Sequence, residues 1–481
     1  MNNKNGGATI FDAIITDIAD YVVDYKVDSD EALMTAQYCL LDALGCGILA
    51  LNEPELRKHI GPVVPGANLK NGARVPGTEY SLDPVQAAYN IGAMVRWYDY
   101  NDTWLAAEWG HPSDNFGAIL AVADYVNRNT DVELTVHDVL IAAIKAYEIQ
   151  GVLALENSFN LVGLDHVILV RVASTAIATQ LLGGNKKTII NALSNAWIDG
   201  GALRTYRHAP NVGWRKSWAA GDAASRAVRL ALMANNGEMG YPSALSSPQW
   251  GFYDALFKGK PFKVSRPYKS YVMENILFKV TVPIEFHAQT AVECAFKLHR
   301  KINGDLEKIE NIVITTHSAA MRIINKTGHL RNHADRDHSL QYAVAIGLIY
   351  GELEVRHFSD KTAENPLIDE LRHKMSVEES TAFSKDYLDP NKRSIANTVT
   401  LHFKDGTSEQ VSIDYPIGHR RRREEALPLL INKFENNLNT YFITQKTEEL
   451  RNLMTDYNRL GTMNISKFME YWLVETDPLK H

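Results

Sequence analysis

Hydrophobic residues recur at three- and four-residue spacing through most of the first half of the chain, the period of helices with one buried face. The pattern predicts helices over residues 11–25, 31–51, 84–99, 112–127, 135–156, 167–182, 187–199 and 217–235, the last capped by Ser217. No GxGxxG, no P-loop and no regular strand–helix alternation interrupts this run, so a helical assembly is the expected class. After about residue 270 the texture changes. Short β-rich runs appear at 276–283, 309–316 and 398–403, and Asp405-Gly406 offers a hairpin turn into 411–413. Helices over 287–302 and 338–351 lie between them. From about Arg421 the helical period returns, through Lys433 and Tyr457 to Trp472. The predicted class is mainly α: a large all-helical domain from 1–270, a smaller α+β domain over 271–416, and a helical tail over 417–481. If that tail rejoins the first domain, the α+β part is an insertion.

Length and charge narrow the choice of partners. A chain of 481 residues has room for two or three domains. Its formal net charge of −7 provides no global field towards nucleic acid or anionic membrane, and neither is expected as a partner. Any anion site must be a local gathering of Arg, Lys and His. The first residues have neither the basic and apolar regions of a secretory signal nor the Arg-rich amphipathic character of a mitochondrial presequence. No apolar run approaches the roughly 20 residues that span a bilayer, so the cytoplasm is the expected location. Cys39 and Cys46 fall on one face of an apolar helix, as core packing would place them. With Cys294 as the third cysteine and no C-x-x-C, there is no ligand set for a cubane iron–sulfur cluster.

Three constellations could carry chemistry. The first runs from Trp97 to Thr103 and from Glu108 to Asp114. Asp99 and Thr103 are four apart and share a face if the helix continues, while His111 stands just before Pro112, a favoured first helical residue. Its ring would sit at a helix amino terminus, where exposed N–H groups attract anions; a polar turn with a capping His is the plainer reading. The second runs from Leu203 to Trp218. Arg215 and Lys216 at a helix start oppose the helix dipole, at a cost of about 0.3–1 kcal/mol each, and a bound anion would reverse that sign. An exposed basic loop competes. The third holds Lys279, Glu285 and His287, with Asp335, Asp337, His338 and Tyr342 further on. His166 stands alone before an apolar helix. Taken singly, each of these reads as a core or capping residue. Arg420 to Arg423, followed by Glu424 and Glu425, reads as a solvated helix start, with carboxylate binding or an interface as the alternative; it is not a nucleic-acid site.

The strings DYNDTWLAAEWGHPSDNFGAILAVADY, LRTYRHAPNVGWRKSWAAGDAASRAVRLALMA, PIEFHAQTAVECA, DRDHSLQYAVAIGLIYG and DYPIGHRRRREEALPLL resemble the MmgE/PrpD family over nearly the whole chain. The resemblance implies an all-helical domain with an inserted α+β lid, a homodimer, and an active site in the cleft between domains. It implies dehydration of 2-methylcitrate to 2-methyl-cis-aconitate in propionate breakdown, with no cofactor, and citrate and cis-aconitate as secondary substrates. A related branch, cis-aconitate decarboxylase, is similar enough to suggest site positions: Asp99, Thr103, His111, His166, Lys216, Lys279, His287 and Tyr342. The expanded Leu-Ala-Ala-Glu-Trp-Gly before His111 resembles the dehydratase branch rather than the decarboxylase. Decarboxylation, or epimerisation of an amino-dicarboxylate, is the alternative within the family.

Such a dehydration needs cations for the carboxylates, a base for carbon and an acid for the leaving hydroxyl. The expected assignment gives the carboxylates of a small tricarboxylate to Lys216, Lys279 and Arg215, with Thr103 and His287 also in binding roles. Asp99 or His111 is the base, and Tyr342 or His166 the acid.

Overall fold

Three glycines let the helices that carry the candidate site touch backbone to backbone. A Cβ on Gly92 would stand 2.9 Å from the Gly221 Cα, and one on Gly117 would stand 2.9 Å from the Gly92 Cα. Helices Pro84–Arg96, Phe116–Asn129 and Arg215–Asn235 therefore cross closely. Their contact brings the end of the first helix beside the start of the third.

The computed structural model describes residues 10–199, 201–208 and 210–474, and it is mainly α-helical. The helices expected from periodicity are present as Ala13–Asp24, Asp30–Ala50, Pro84–Arg96, Phe116–Asn129, Val136–Glu156, Val167–Leu181, Lys186–Ile198 and Arg215–Asn235. Local chemistry sets several of their ends. Asp83 accepts from the Val85 and Gln86 amides, and Pro84 needs no amide partner. Ser217 is not a cap: the helix starts at Arg215, and the Ser217 hydroxyl donates to the Trp97 carbonyl at 2.8 Å. Asp30–Ala50 corrects another expectation, being long and apolar enough to cross a membrane, yet 78% of its most apolar window is buried within the protein. It is a core helix, and Cys39 and Cys46 are buried on it.

Two large apolar cores form. The larger one draws on residues from Ile15 to Val280 and again from Ala426 to Trp472, so the tail packs with the first half of the chain. The smaller one spans Val282 to Ile413. It is built on a four-stranded sheet in the order Met375–Glu379, Ile309–Thr316, Asn397–Phe403, Ser408–Ile413. The first pair is parallel and the others antiparallel, with Asp405-Gly406 in the hairpin turn and Gly406 at φ 83°. Helices Gln289–Ile302 and Leu340–Tyr350 supply its helical layer.

The β-rich run at 276–283 is not a strand. Only Leu277 pairs, in a single bridge to Thr103. Its other backbone groups serve the neighbouring chain: Phe278 N–H bonds the Gly418 carbonyl, and the Lys279 carbonyl accepts from Lys433. The segment links the two cores and carries Lys279 inward.

Candidate active site

The first helix ends at Arg96, and three residues later Asp99 turns left-handed at φ 53°. Asp tolerates that conformation better than most residues. The turn drives its carboxylate inward, where 2% of the residue remains exposed. Oδ1 lies 2.5 Å from an Arg96 guanidinium nitrogen, 2.9 Å from Lys279 Nζ and 3.3 Å from His111 Nε2. His338 Nε2 stands 3.9 Å from Oδ2, and Lys279 also donates to the Asp99 carbonyl. Burial alone would raise this carboxyl, but the Arg96 guanidinium and the Lys279 ammonium outweigh it and hold it well below the ordinary carboxylate range. Asp99 is ionised.

His111 follows from the same turn. Its Nδ1 is 2.8 Å from the Asp102 carbonyl, an acceptor only, so Nδ1 carries the ring proton and Nε2 faces Asp99. The Thr103 hydroxyl stands 3.3 Å from the same Nδ1. Asp99 and Thr103 thus meet at His111 from opposite ends of its ring, not from one helical face, because the helix stops before either. His111 makes no side-chain cap to the short 3-10 turn that Pro112 opens. Burial and Arg96 push its pKa well below the usual imidazole value against the pull of Asp99, so the ring is neutral. The His166 ring lies 5.7 Å away, with Nδ1 3.5 Å from Asp165.

Lys216 bridges the two cores. Its ammonium lies 2.5 and 2.7 Å from the Asp337 carboxylate oxygens and 3.1 Å from His338 Nδ1. Burial lowers Lys216 to about 8, with Asp337 resisting. His338 is lowered to about 4 by burial and by Lys216. Since His338 also faces Asp99, one chain of contacts runs from His111 through Asp99 and His338 to Lys216.

A cavity of about 530 Å³ opens against His338. Trp109, Arg204 and Arg207 from the first half of the chain wall it together with Arg322, Lys326 and Arg331 from the α+β part. Asp335 is the one acidic side chain among the described residues lining it. In a chain of net charge −7, this is a concentrated positive site.

The MmgE/PrpD N-terminal domain model matches residues 16–265 and the MmgE/PrpD C-terminal domain model matches residues 282–459. The chain belongs to the MmgE/PrpD family. Among MmgE/PrpD relatives, the 2-methylcitrate dehydratase of Escherichia coli K12 is 56% identical over 472 residues, covering 96% of this chain and 98% of that protein. The 2-methylcitrate dehydratase of Cupriavidus necator is 54% identical over 471 residues, 96% of this chain and 97% of its own. The mitochondrial 2-methylcitrate dehydratase of Yarrowia lipolytica is 51% identical, over 96% of this chain and 90% of its own.

Of the residues singled out from sequence and from MmgE/PrpD resemblance, Asp99, Thr103, His111, His166, Lys216 and Lys279 converge. Three stand apart. Arg215 is exposed, its guanidinium 4.4 Å over the Trp218 ring and 5.2 Å over Tyr206, and it lines a separate cavity. The Tyr342 hydroxyl donates to the His357 carbonyl at 2.7 Å within the smaller core. His287 is fully buried between Glu285, at 2.7 Å, and the Tyr387 hydroxyl, at 3.2 Å; its ring packs edge-on against Trp109 at 6.0 Å.

Sequence reasoning passed over Arg96, Arg322, Lys326 and Arg331, included Arg204 and Arg207 in its second constellation without giving them a role, and left Asp337 and His338 as ordinary polar residues. One signal was available. Arg322, Lys326, His329 and Arg331 fall within ten residues of an otherwise acidic chain. The Arg420–Arg423 run proves to be a clasp: Arg420 meets Glu31 at 2.6 Å, Arg422 meets Glu293 at 2.9 Å, and Arg423 donates to the Ile276 carbonyl.

Proposed function

We propose that the chain is a 2-methylcitrate dehydratase, removing water from 2-methylcitrate to give 2-methyl-cis-aconitate. The observation that carries this reading is a cationic cleft ending on a buried His111–Asp99–His338–Lys216 chain, in a protein whose near full-length relatives bear that name.

A tricarboxylate entering the cleft exchanges water for fixed guanidinium and ammonium groups. Arg204, Lys326 and Arg331 receive its carboxylates, and the site needs no rearrangement to stabilise the charge that develops on them. His111 is the base. Its Nδ1 proton is committed to the Asp102 carbonyl, so the proton from carbon goes to Nε2, the nitrogen that faces Asp99. Asp99 is too strongly held by cations to compete as a base; it steadies the imidazolium that His111 becomes. Lys279 keeps Asp99 in place. With the Tyr342 hydroxyl occupied by a backbone carbonyl, the proton for the departing hydroxyl falls to His338, which lies on the cavity wall. Three substrate carboxylates raise its affinity for that proton, and Lys216 holds its Nδ1 side. The α+β unit acts as a lid: Lys216 and Asp337 join it to the helical body, and its closure excludes water from the cleft.

The test is direct. Purified protein is incubated with 2-methylcitrate, and with citrate in parallel, while the ultraviolet absorbance of a conjugated double bond is followed. A rise without carbon dioxide release, lost in the folded Lys216→Ala variant, supports the reading. No rise with 2-methylcitrate, or release of carbon dioxide from cis-aconitate in its place, overturns it.

A further inference from the structure

We infer that Trp109, Ile323 and Leu330 form an apolar facet in the cleft that accepts the methyl group of the substrate and thereby selects 2-methylcitrate over citrate. This rests on the dehydratase reading above. Charge accounts for most of the cavity, but not for these three. Trp109 and Leu330 are 7% and 8% exposed, and Ile323 is half-buried, yet all three reach the cavity surface. They are not isolated. Trp109 belongs to a small apolar cluster with Leu105, Phe286 and Tyr387, lying between the two large cores, and Ile323 packs against it. Leu330 and Ile323 extend the facet into the smaller core.

The facet is rigid. The His287 ring meets Trp109 edge-on at 86°, and the Arg204 guanidinium covers the indole 5.2 Å from its centroid. That arrangement puts a fixed cation beside an apolar surface. The reacting carbon of 2-methylcitrate presents the matching pair, since it carries a carboxylate and a methyl group together. Citrate has the carboxylate but only hydrogen in place of the methyl. Arg204 takes the carboxylate and the facet takes the methyl, so the carbon that loses its proton is the one aimed at the base. The C–H electron pair becomes the new double bond, the proton goes to His111, and the hydroxyl leaves protonated as water.

A cleft of this kind discriminates one methyl group by roughly 10–200-fold at most. The experiment compares kcat/KM for 2-methylcitrate, citrate and 2-ethylcitrate in wild type, Ile323→Ala and Leu330→Ala. The expected result is a drop of about tenfold for 2-methylcitrate relative to citrate in both variants. 2-Ethylcitrate should gain relative to 2-methylcitrate in Ile323→Ala, where a cavity opens for the extra methylene. Should either alanine variant lose citrate turnover as well, Ile323→Val gives the same ratio with less disturbance, at about threefold. Where citrate turns over too slowly, its inhibition constant stands in for it. Parallel losses on all three substrates that persist in Ile323→Val, or no relative gain for 2-ethylcitrate in Ile323→Ala, overturn the facet while leaving the dehydratase reading intact. A wild-type protein inert towards 2-methylcitrate overturns both.

Discussion

The Lys433 ammonium lies 2.6 Å from the Asp42 carboxylate, with each side chain no more than 3% exposed. The same ammonium donates to the carbonyls of Tyr100 and Lys279 at 2.7 Å each. Lys433 comes from the tail, Asp42 from the second long helix, and the two carbonyls flank the Asp99–Lys279 pair. One buried cation therefore pins both backbone segments that present the centre of the candidate site.

Lys433→Met should destabilise the fold by about 3–5 kcal/mol, because it leaves the Asp42 carboxylate buried without its partner. Urea unfolding measures the loss. Combining it with Asp42→Asn should recover a large part, since the orphaned charge is then gone. A loss below about 1 kcal/mol in the single variant would mean that the pair carries no such burden.

Lys216 sets an alkaline limit on activity. Burial lowers its pKa to about 8 although Asp337 opposes the shift, so above that pH the free enzyme loses the cation that holds Asp337 and His338. The pH profile of kcat/KM reports the free enzyme and should fall on its alkaline side near pH 8. The limb in kcat should lie higher, because bound carboxylates favour the ammonium. Lys216→Arg keeps its charge at every accessible pH, and in that variant the limb should move upward even if turnover is lower. A wild-type profile level to pH 9.5 would remove Lys216 from this role.

Arg331 faces the cleft from the smaller core and makes no ion pair within 4.0 Å in the described structure. If it binds a carboxylate equally in ground and transition states, Arg331→Ala should raise KM about tenfold or more with little change in kcat. The effect should shrink at high salt, where exposed charges are screened. Equal losses in kcat and kcat/KM would instead place Arg331 at the reacting centre.

The helical body was legible because its long helices carry an unbroken 3.6-residue period and most ends coincide with Asp, Ser, Thr, Asn or Pro signals. The site was legible only in part. Asp99 and His111 stood out by local density, but their meeting depends on a left-handed residue that breaks the helix, and periodicity projects through such a break. The run at 276–283 looked like a strand because its apolar residues are buried on two sides, yet burial between two cores satisfies the same pattern without a ladder. Asp337 and His338 acquire their role through Lys216 and Asp99, each more than a hundred residues away. No local spacing records a contact of that kind.

Asp114 offers a test of how the floor of the site is built. It is fully buried; Oδ1 accepts from Asn101 at 3.0 Å, and Oδ2 has no hydrogen-bond partner in the described structure. Burial pushes its pKa up to about 8, with Arg96 only partly offsetting the effect and Asp102 adding to it. Between the ordinary carboxyl range and pH 8 the folded protein keeps this proton while the unfolded chain has released it. The unfolded state then binds fewer protons, so this group makes stability fall as pH rises through that window. Asp114→Asn preserves the acceptor for Asn101 and cannot ionise. It should be more stable than wild type at pH 8 by more than about 1 kcal/mol, the worth of a single pKa unit, and the gap should close towards pH 4. Urea unfolding of both proteins at pH 4, 6 and 8 reads this slope. Parallel stability curves for the two would show that Asp114 is ionised in the folded protein, with a partner that compensates its charge.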